Sequence, residues 1–208
     1  MQLCISISAR PSNIGTRFHN FLYDELGLNF VYKAFAVDDA EGAVRGIRAL
    51  KIRGAAVSMP HKEAVIPFMD ELDVSASAID AVNTIVNTDG YLKAYNTDYQ
   101  AVVDALKLHR IDKNYSVVVR GSGGMAKAVI AAFRDSGFTN LTVLSRNEIT
   151  GNALADKYGF KWLPESELEN IPAFDVLVNV TPIGMSGGNE GQLSFSESLV
   201  KNSQVVFD

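Results

Sequence analysis

The chain has 208 residues, 47% hydrophobic and 21% charged, with a net charge of −5, and these values are typical of a globular protein with a substantial core. An acidic chain offers no broad basic surface for nucleic acid or an anionic membrane, and no apolar run approaches the ~18 residues of a membrane-spanning helix. The single cysteine excludes an intrachain disulfide and a cysteine-cluster zinc site, and with a start that lacks a secretory signal it predicts a cytoplasmic protein.

Strand and helix patterns alternate through the first half of the chain. Strands are predicted at residues 3–8, 30–37 and 54–59, and helices at 16–26, 39–50, 61–72 and 74–81. In the first of these helices, Phe18, Leu22 and Leu26 recur at helical spacing. Two short strands follow around the turn Asp89-Gly90. The array is a β-α-β-α-β unit with a hairpin appended.

The pattern restarts in the second half, after a connecting helix over residues 99–109. A strand, a glycine turn and a long helix are predicted over 115–138, then a strand at 140–147, a helix at 149–159 and strands at 174–181 and from 204 onward. The runs SVVV and VLVNV are apolar on both faces, as central parallel strands are.

These patterns predict an α/β protein with two domains. We expect an N-terminal α/β domain at residues 1–98 and a C-terminal doubly wound α/β domain at 99–208. The last strand has no covering helix, so we expect the C-terminal part of the second domain to be missing from this chain.

The glycine turn GSGGMA (121–126) follows the strand YSVVV and opens the helix MAKAVIAAF. It matches G-x-G-x-x-G/A, in which the first glycine permits a tight turn, the second lets backbone approach a pyrophosphate, and the last small residue lets helix and strand pack closely. The free N–H groups of the helix N-terminus suit the phosphates. The alternative is a strand–helix turn without a ligand. The motif predicts cofactor binding by Gly121, Ser122, Gly123, Gly124, Met125 and Ala126.

The segment SRN (145–147), at the end of the next strand, predicts the choice of cofactor. An NAD site places an acid about 20 residues after the glycine turn to bind the ribose, but Ser145, Arg146 and Asn147 stand there. A guanidinium pairs with the 2′-phosphate of NADP and stacks near the adenine. We therefore predict NADP, with NAD possible because Glu148 lies close by; the alternative for Arg146 is a solvated surface arginine.

Lys62 and Asp98 are the charged candidates for catalysis. Lys62 follows the third strand, and Asp98 ends NTD (96–98) just before the connecting helix, so both could reach a cleft between the domains. A lysine and an aspartate bonded to one hydroxyl can orient it and handle its proton while hydride leaves the carbon, and the ammonium stabilises a developing alkoxide. The alternatives are a surface lysine at a helix start and an aspartate that caps the helix at residue 99.

Two more positions have both a functional and a structural interpretation. Asn83, in AVNT, could donate to a substrate hydroxyl or terminate a helix, and Thr181, after VLVNV, could meet the cofactor or simply end a strand. The three histidines are far apart and lack H-x-x-x-H spacing, so no metal site is predicted.

Taken together, these motifs resemble the shikimate dehydrogenase family. The matching segments are AVSMPHK (56–62), AVNT (81–84), NTD (96–98), GSGGMA (121–126), SRN (145–147) and NVTPIGM (179–185). The resemblance covers most of the chain. It implies an α/β enzyme with an N-terminal substrate-binding and catalytic domain at residues 1–98 and a C-terminal doubly wound Rossmann domain that binds the dinucleotide NADP at 99–208. Such an enzyme of aromatic amino-acid biosynthesis, in the chorismate pathway, reduces 3-dehydroshikimate to shikimate with NADPH.

The resemblance also implies roles for individual residues. Lys62 corresponds to the catalytic lysine of the family's N-x-T-x-P-x-K pattern, and Asp98 to the second catalytic and substrate-binding residue, in N-T-D. Asn83 matches a substrate-binding asparagine, and Ser58 stands at the place of a substrate-binding threonine. Residues 121–126 match the diphosphate loop, and Arg146 matches the arginine that binds the 2′-phosphate.

The departures from the family's pattern concern substrate recognition. The serines of S-x-S-P, which hold the substrate carboxylate in the family, fall on Asn13 and Gly15 here, and Ala56 replaces the asparagine of N-x-T. Thr150 stands where a second basic residue often follows N-R-T. Losing two hydroxyls at about 1–3 kcal/mol each would weaken shikimate binding by about one to four powers of ten. The family's chains also continue past this one and contribute a glutamine to the substrate.

The sequence therefore predicts an NADP-dependent oxidoreductase of shikimate type, a monomer or homodimer, with weak or altered recognition of shikimate. The alternatives are a dehydrogenase of quinate or another hydroxylated cyclic acid, and a nucleotide-binding protein with little turnover. A methylene-tetrahydrofolate dehydrogenase ranks lower, because AVNT and NTD in this order belong to the shikimate group.

Overall fold

Two β-sheets, one in each half of the chain, organise the fold. The computed structural model describes residues 1–186 and 189–208, and it divides into the units Met1–Thr97 and Asp98–Asp208. Within those residues, no helix has the length and apolar character needed to cross a membrane.

The first unit contains a six-stranded mixed sheet. Its strands are β1 (Gln2–Ser8), β2 (Phe30–Ala36), β3 (Gly54–Val57), β4 (Glu71–Leu72), β5 (Thr84–Thr88) and β6 (Tyr91–Tyr95). Its helices are α1 (Ile14–Glu25), α2 (Ala40–Ala49), α3 (His61–Ala64) and α4 (Val74–Ser77). The sheet order is β2-β1-β3-β5-β6-β4, with β2, β1 and β3 parallel, as the β-α-β-α-β pattern predicts.

The core of this unit lies between the sheet and α2. Ile7 of β1 and Val57 of β3 are buried with Val44 and Ile47 of α2 in one apolar cluster. Because β1 and β3 run parallel, their carboxyl ends meet at one edge of the sheet, where the loops that follow them come together.

Helix α1 packs on the edge strand β2 through polar side chains and through the rings of His19 and Tyr23, which contact Tyr32 and Phe30, and not through the predicted apolar stripe. Phe18 is 56% exposed, and α1 contains no buried residue. Asn20 Nδ2 donates to Tyr32 O at 2.9 Å, Asn20 Oδ1 accepts from Tyr32 N–H at 2.8 Å, and Thr16 Oγ1 accepts from Ala34 N–H at 3.2 Å. An edge strand has unpaired backbone groups, and these side chains satisfy them.

The helix predicted at residues 61–72 is interrupted at Pro67. Helix α3 ends at Ala64, a 3₁₀ turn covers Ile66–Phe68, and β4 then pairs with β6. Proline lacks an N–H and clashes with the preceding turn, so it stops helix propagation. The helix predicted at 74–81 is confined to the four residues of α4.

The predicted hairpin is confirmed, with β5 and β6 antiparallel around Asp89-Gly90. Both turn residues have positive φ, 53° and 93°, as a two-residue type I′ turn requires. Asn87 Oδ1 accepts from Gly90 N–H at 2.8 Å and Asn87 Nδ2 donates to Ile47 O at 3.1 Å, which ties the turn to α2.

The second unit contains a five-stranded sheet that is parallel throughout. Its strands are β7 (Val117–Arg120), β8 (Leu141–Ser145), β9 (Lys161–Pro164), β10 (Val176–Asn179) and β11 (Val205–Phe207). Its helices are α5 (Thr97–Leu108), which begins one residue before the unit, α6 (Gly124–Asp135), α7 (Glu148–Tyr158) and α8 (Glu197–Asn202). The order β11-β10-β7-β8-β9 extends from β7 in both directions, which confirms the doubly wound prediction.

The sequence pattern does not predict β9 and α8. Strand β9 is a four-residue edge strand that contains Lys161 and Pro164, so it has too few alternating positions to produce a period of two. The central strands behave differently: every residue of β7, β8 and β10 is buried, as their apolar runs predict.

A carboxylate joins the amino ends of β7 and β10. Asp175 Oδ2 accepts from Ser116 N–H at 2.8 Å and from Ser116 Oγ at 2.7 Å. The hydrogen bonds from Ser116 hold the pKa of the Asp175 carboxyl below its ordinary value. Because the folded-state pKa is lowered, this stabilisation is present above the unfolded-state pKa of about 3.9 and is lost as the pH falls through the folded-state pKa.

We expect Asp175→Asn to lower the free energy of unfolding at about pH 6 and to reduce its decrease between about pH 6 and pH 3, because asparagine accepts hydrogen bonds without titrating. Urea unfolding at both pH values measures this, with Asp24→Asn on the exposed side of α1 as the matched control. A pH dependence in Asp175→Asn equal to that of the parent protein would contradict the assignment.

Candidate active site

Lys62 is the second residue of α3, and the segment that leads to it from β3, here called the turn, is anchored at both ends. After β3 ends, Ser58 N–H donates to Ile7 O at 3.0 Å, and Lys62 O accepts from Val82 N–H at 2.8 Å. The turn contains a cis Met59-Pro60 peptide bond, and α3 begins directly after it. The half-buried lysine therefore has a fixed backbone at the carboxyl end of a parallel strand, while Ser58 is exposed beside it.

His61 fixes the same turn from the inside. Its side chain is 5% exposed, its Nε2 lies 2.8 Å from Val37 O, and its N–H donates to Ser58 O at 3.0 Å. This role has no signature in the sequence, because a single histidine next to a charged residue has no periodic pattern.

Asn83 connects the loop after β3 with the NTD segment. Asn83 O accepts from Val57 N–H at 2.8 Å, and Asn83 Oδ1 accepts from Thr97 N–H at 2.9 Å. Asn83 Nδ2 donates one hydrogen to Thr97 Oγ1, also at 2.9 Å. Because α4 has ended well before it, Asn83 is not a helix terminator.

Asp98 is the second residue of α5, and it is half-buried. The helix already begins at Thr97. Asp98 therefore lies inside the helix and is not its N-cap, which was the alternative to a catalytic role. A negatively charged side chain in the first turn of a helix interacts favourably with the helix dipole. Lys62 lies in the first unit and Asp98 is the first residue of the second, while its chain neighbour Thr97 is held by Asn83.

The glycine turn has the backbone that its sequence predicts. Gly121 has φ +126°, and a Cβ there would lie 2.9 Å from Val180 Cγ2. Gly123 is the N-cap of α6 and has no side chain to cap the first turn, and a Cβ on Gly123 or Gly124 would meet nothing within 4 Å. Ala126 is fully buried against the sheet, while Met125 is exposed. The turn thus leaves open space in front of unpaired helix N–H groups.

A cleft of about 640 Å³ opens in front of this turn, within the second unit. Its walls are formed by the ends of β7, β8 and β10, by Glu165 after β9, and by Asn189 and Gln192. Its volume is within the range of small-molecule and cofactor sites. Residues 120–123, 144–147 and 180–183 line it, so the predicted cofactor segments do come together.

The SRN segment presents its three residues differently. Arg146 is exposed at the cleft, whereas Ser145 is 3% exposed and its Oγ accepts from Trp162 Nε1 at 3.0 Å. Asn147 caps α7, with its Oδ1 accepting from Thr150 N–H at 3.0 Å. Of the three side chains, that of Arg146 is therefore the one best placed to reach a ligand.

Two hydroxyls near the glycine turn are already hydrogen-bonded. Ser122 Oγ lies 2.8 Å from Thr150 Oγ1, which joins the turn to the first turn of α7. Thr181 N–H and Oγ donate to Asn179 Oδ1 at 3.0 and 2.6 Å, and Thr181 Oγ accepts from Ile183 N–H at 3.2 Å. Thr181 therefore shapes the cleft wall mainly through its backbone.

Comparison with known proteins identifies the family. The family described as shikimate dehydrogenase substrate binding domain matches residues 12–85. A shikimate dehydrogenase-like protein of Haemophilus influenzae is 56% identical over 208 residues, which are 100% of this chain and 76% of that protein. The chain belongs to the shikimate dehydrogenase family.

Solved structures of shikimate dehydrogenase relatives share the fold. The shikimate 5-dehydrogenase of Thermus thermophilus, in complex with NADP(H) and shikimate, is 27% identical with a TM-score of 0.78, over 96% of this chain and 75% of that one. The quinate dehydrogenase of Corynebacterium glutamicum, in complex with NAD, is 26% identical with a TM-score of 0.84, over 98% and 78%.

The departures of this shikimate dehydrogenase family member from the family's motifs have structural counterparts. Asn13 precedes α1 without making a side-chain cap, and Gly15 has no hydroxyl. Thr16, the nearest hydroxyl on α1, accepts the N–H of Ala34. A substrate carboxylate would therefore have to find other donors in this region.

Arg120 lines the cleft, and the sequence motifs do not predict it. It ends β7 directly before the glycine turn and is 7% exposed. Its Nε donates to Glu165 Oε1 at 2.9 Å, and one of its terminal nitrogens donates to Ser194 O. The sequence feature that could have indicated this role is a charged residue at the end of an otherwise apolar central strand, VVVR.

Proposed function

We propose that this family member is an NADP-dependent dehydrogenase that interconverts a hydroxylated cyclic acid and the corresponding ketone, with shikimate as a weak substrate. The observation that carries the proposal is the doubly anchored turn, which holds Lys62 at the carboxyl end of β3 in a chain that also contains an open glycine turn. A protein that only bound nucleotide would have no use for the first of these features.

The second unit fits the diphosphate of a dinucleotide. Gly121 adopts a conformation that side chains disfavour, and the space in front of Gly123 and Gly124 is open where the first N–H groups of α6 point. Arg146 supplies an exposed guanidinium for a 2′-phosphate at the end of β8. We therefore propose NADP as the cofactor, consistent with the NADP(H) bound to the Thermus relative.

In the proposed reaction, Lys62 and Asp98 act on the substrate hydroxyl. The Lys62 ammonium donates a hydrogen bond to the hydroxyl oxygen and stabilises the alkoxide that develops as the carbon is oxidised. The Asp98 carboxylate accepts the hydroxyl proton. When bound, NADP⁺ is the hydride acceptor, so alcohol and NADP⁺ yield ketone, NADPH and a proton.

Asn83 and Ser58 are the proposed substrate contacts of the first unit. One N–H of the Asn83 amide is used by Thr97, and the second N–H remains available for a substrate hydroxyl. Ser58 keeps the hydroxyl of the family's threonine and is exposed on the same turn as Lys62. With Asn13 and Gly15 in place of the carboxylate-binding serines, we infer that the acid group is recognised weakly or differently.

A second candidate substrate is quinate. A quinate dehydrogenase, that of Corynebacterium glutamicum, is among the solved structures that share this fold, with a TM-score of 0.84. Quinate and shikimate are both hydroxylated cyclic acids, so the same lysine and aspartate would serve either one.

The test is a side-by-side assay of NADP⁺ and NAD⁺ reduction with shikimate, quinate and related cyclic acids, against a shikimate dehydrogenase with intact S-x-S-P serines. We expect NADP-dependent turnover, with kcat/KM for shikimate lower than that of the comparison enzyme by about one to four powers of ten. Cofactor binding is followed separately by the fluorescence of Trp162, the only tryptophan of the chain.

The outcomes separate the functional classes. If shikimate were turned over as efficiently as by the comparison enzyme, the proposal of altered substrate recognition would be wrong, but the proposed dehydrogenase reaction would be supported. If the protein bound NADP but turned over none of the acids, the proposal of a dehydrogenase would be rejected in favour of a nucleotide-binding protein.

A further inference from the structure

An ion pair between a buried arginine and a half-buried glutamate forms part of the wall of the cleft. The Arg120 side chain is 9% exposed and that of Glu165 is 28% exposed, and both residues line the cleft. Arg120 Nε donates to Glu165 Oε1 at 2.9 Å, and Arg120 Nη2 donates to the same oxygen. Arg120 Nη1 donates to Ser194 O, so three donors hold the guanidinium in one orientation.

This arrangement leaves one oxygen of the carboxylate available. Both bonds from Arg120 go to Oε1, and among residues 1–186 and 189–208 no hydrogen bond is made to Glu165 Oε2. Glu165 Oε2 is not a buried atom and keeps contact with solvent, so an N–H or O–H group of a ligand in the cleft can reach it and donate a charge-assisted hydrogen bond. Arg120 balances the charge, so Glu165 does not repel the phosphates of a dinucleotide in the same cleft.

The order of the strands indicates which part of the ligand this oxygen meets. Along the carboxyl edge of the sheet, β7 leads to the glycine turn, its neighbour β8 leads to Arg146, and the next strand β9 leads to Glu165. A dinucleotide has its pyrophosphate, its ribose and its adenine in the same sequence. With the pyrophosphate at the glycine turn and the 2′-phosphate at Arg146, the adenine comes to the end of β9.

We propose that Glu165, oriented by Arg120, accepts a hydrogen bond from the 6-amino group of the cofactor's adenine. This inference rests on the proposed function, because it assigns a further residue of the same cofactor site. The amino group is the donor of the adenine ring, and Glu165 Oε2 is the unpaired acceptor at the position where the ring arrives.

The test compares NADP⁺ with its analogue in which hypoxanthine, with a carbonyl group in place of the 6-amino group, replaces adenine. Isothermal titration calorimetry gives Kd for both ligands with the parent protein, with Glu165→Gln and with Glu165→Ala. Glu169→Gln, an exposed residue of the same 3₁₀ segment, is the matched control. The ratio of the two Kd values does not depend on the fraction of folded protein, so a merely structural role of Glu165 would not change it.

We expect the parent protein and Glu169→Gln to bind NADP⁺ about tenfold more tightly than the analogue, which is the effect of one hydrogen bond. We expect the preference to disappear in Glu165→Ala, and to invert toward the analogue in Glu165→Gln, because the amide oxygen then faces the Arg120 donors and the amide NH₂ donates to the 6-carbonyl group. A ratio unchanged by the Glu165 substitutions, or no preference in the parent protein, would overturn this inference while leaving NADP binding and turnover intact. Failure of the parent protein to bind NADP⁺ at all would reject the proposed cofactor site together with it.

Discussion

Lys62→Ala is expected to lower kcat for the cyclic acid by about 10²–10⁴-fold, the usual contribution of a positioned group that acts on the transferred proton and on the developing alkoxide. The substitution removes only the side chain, because the turn is anchored through the Lys62 carbonyl and Val82 N–H. Steady-state assays of NADP⁺ reduction measure the effect, and titration of Trp162 fluorescence should give an unchanged Kd for NADP⁺.

Lys33→Ala is the matched control, because Lys33 is an exposed lysine on the edge strand β2 of the same unit. Asp98→Asn should lower kcat by a similar factor. The double variant should lose less than the product of the two single losses, since both residues are proposed to act on one hydroxyl. Full activity in Lys62→Ala would exclude this lysine from catalysis and restore its interpretation as a surface residue at a helix start.

Gly121→Ala is expected to abolish measurable NADP binding and to destabilise the second unit. The new Cβ would lie 2.9 Å from Val180 Cγ2 and 3.1 Å from Val180 O, at a φ of +126° that L-residues rarely adopt. Backbone strain of about 1–3 kcal/mol adds to overpacking of about 1–3 kcal/mol. Urea unfolding monitored by Trp162 fluorescence gives the loss of stability, and calorimetry gives the loss of binding.

Gly123→Ala provides the contrast within the same turn. Its Cβ would meet nothing within 4 Å and its φ of −85° is ordinary, so stability should be retained. Binding should nevertheless fall, because the added methyl group occupies the space proposed for the diphosphate. If Gly123→Ala bound NADP⁺ as tightly as the parent protein, the diphosphate would have to lie elsewhere.

The sequence predicts those parts of the fold in which local signals and tertiary structure agree. The apolar runs of β7, β8 and β10 are buried on both faces, Asp89-Gly90 adopts the turn that its residues favour, and Gly121 needs the positive φ that only glycine adopts readily. In each case the conformation that the residue types favour locally is also the one that the surrounding fold requires.

The remaining features depend on contacts between distant residues. Arg120 and Glu165 are separated by 45 positions, and the partnership of Asn83 with Thr97 by 14, so neither has a signature within a local window. Pro67 limits α3 to its first turn, and the polar contacts of Thr16 and Asn20 with β2 turn Phe18 of α1 toward solvent. Periodicity detects amphipathic faces, but it does not tell which neighbour will cover them.

The strand order of the second unit also has a consequence for how the protein is made. Strand β7, which leads into the glycine turn, pairs on one side with β8 but on the other with β10, whose Val176 stands opposite Val117. A parallel pairing over such a sequence distance forms slowly, after the loops between have been closed. During synthesis the nucleotide cleft therefore cannot be completed until most of the second unit has left the ribosome. A dinucleotide present at that stage would bind only the completed cleft, and its binding would shift the final folding equilibrium toward the native state.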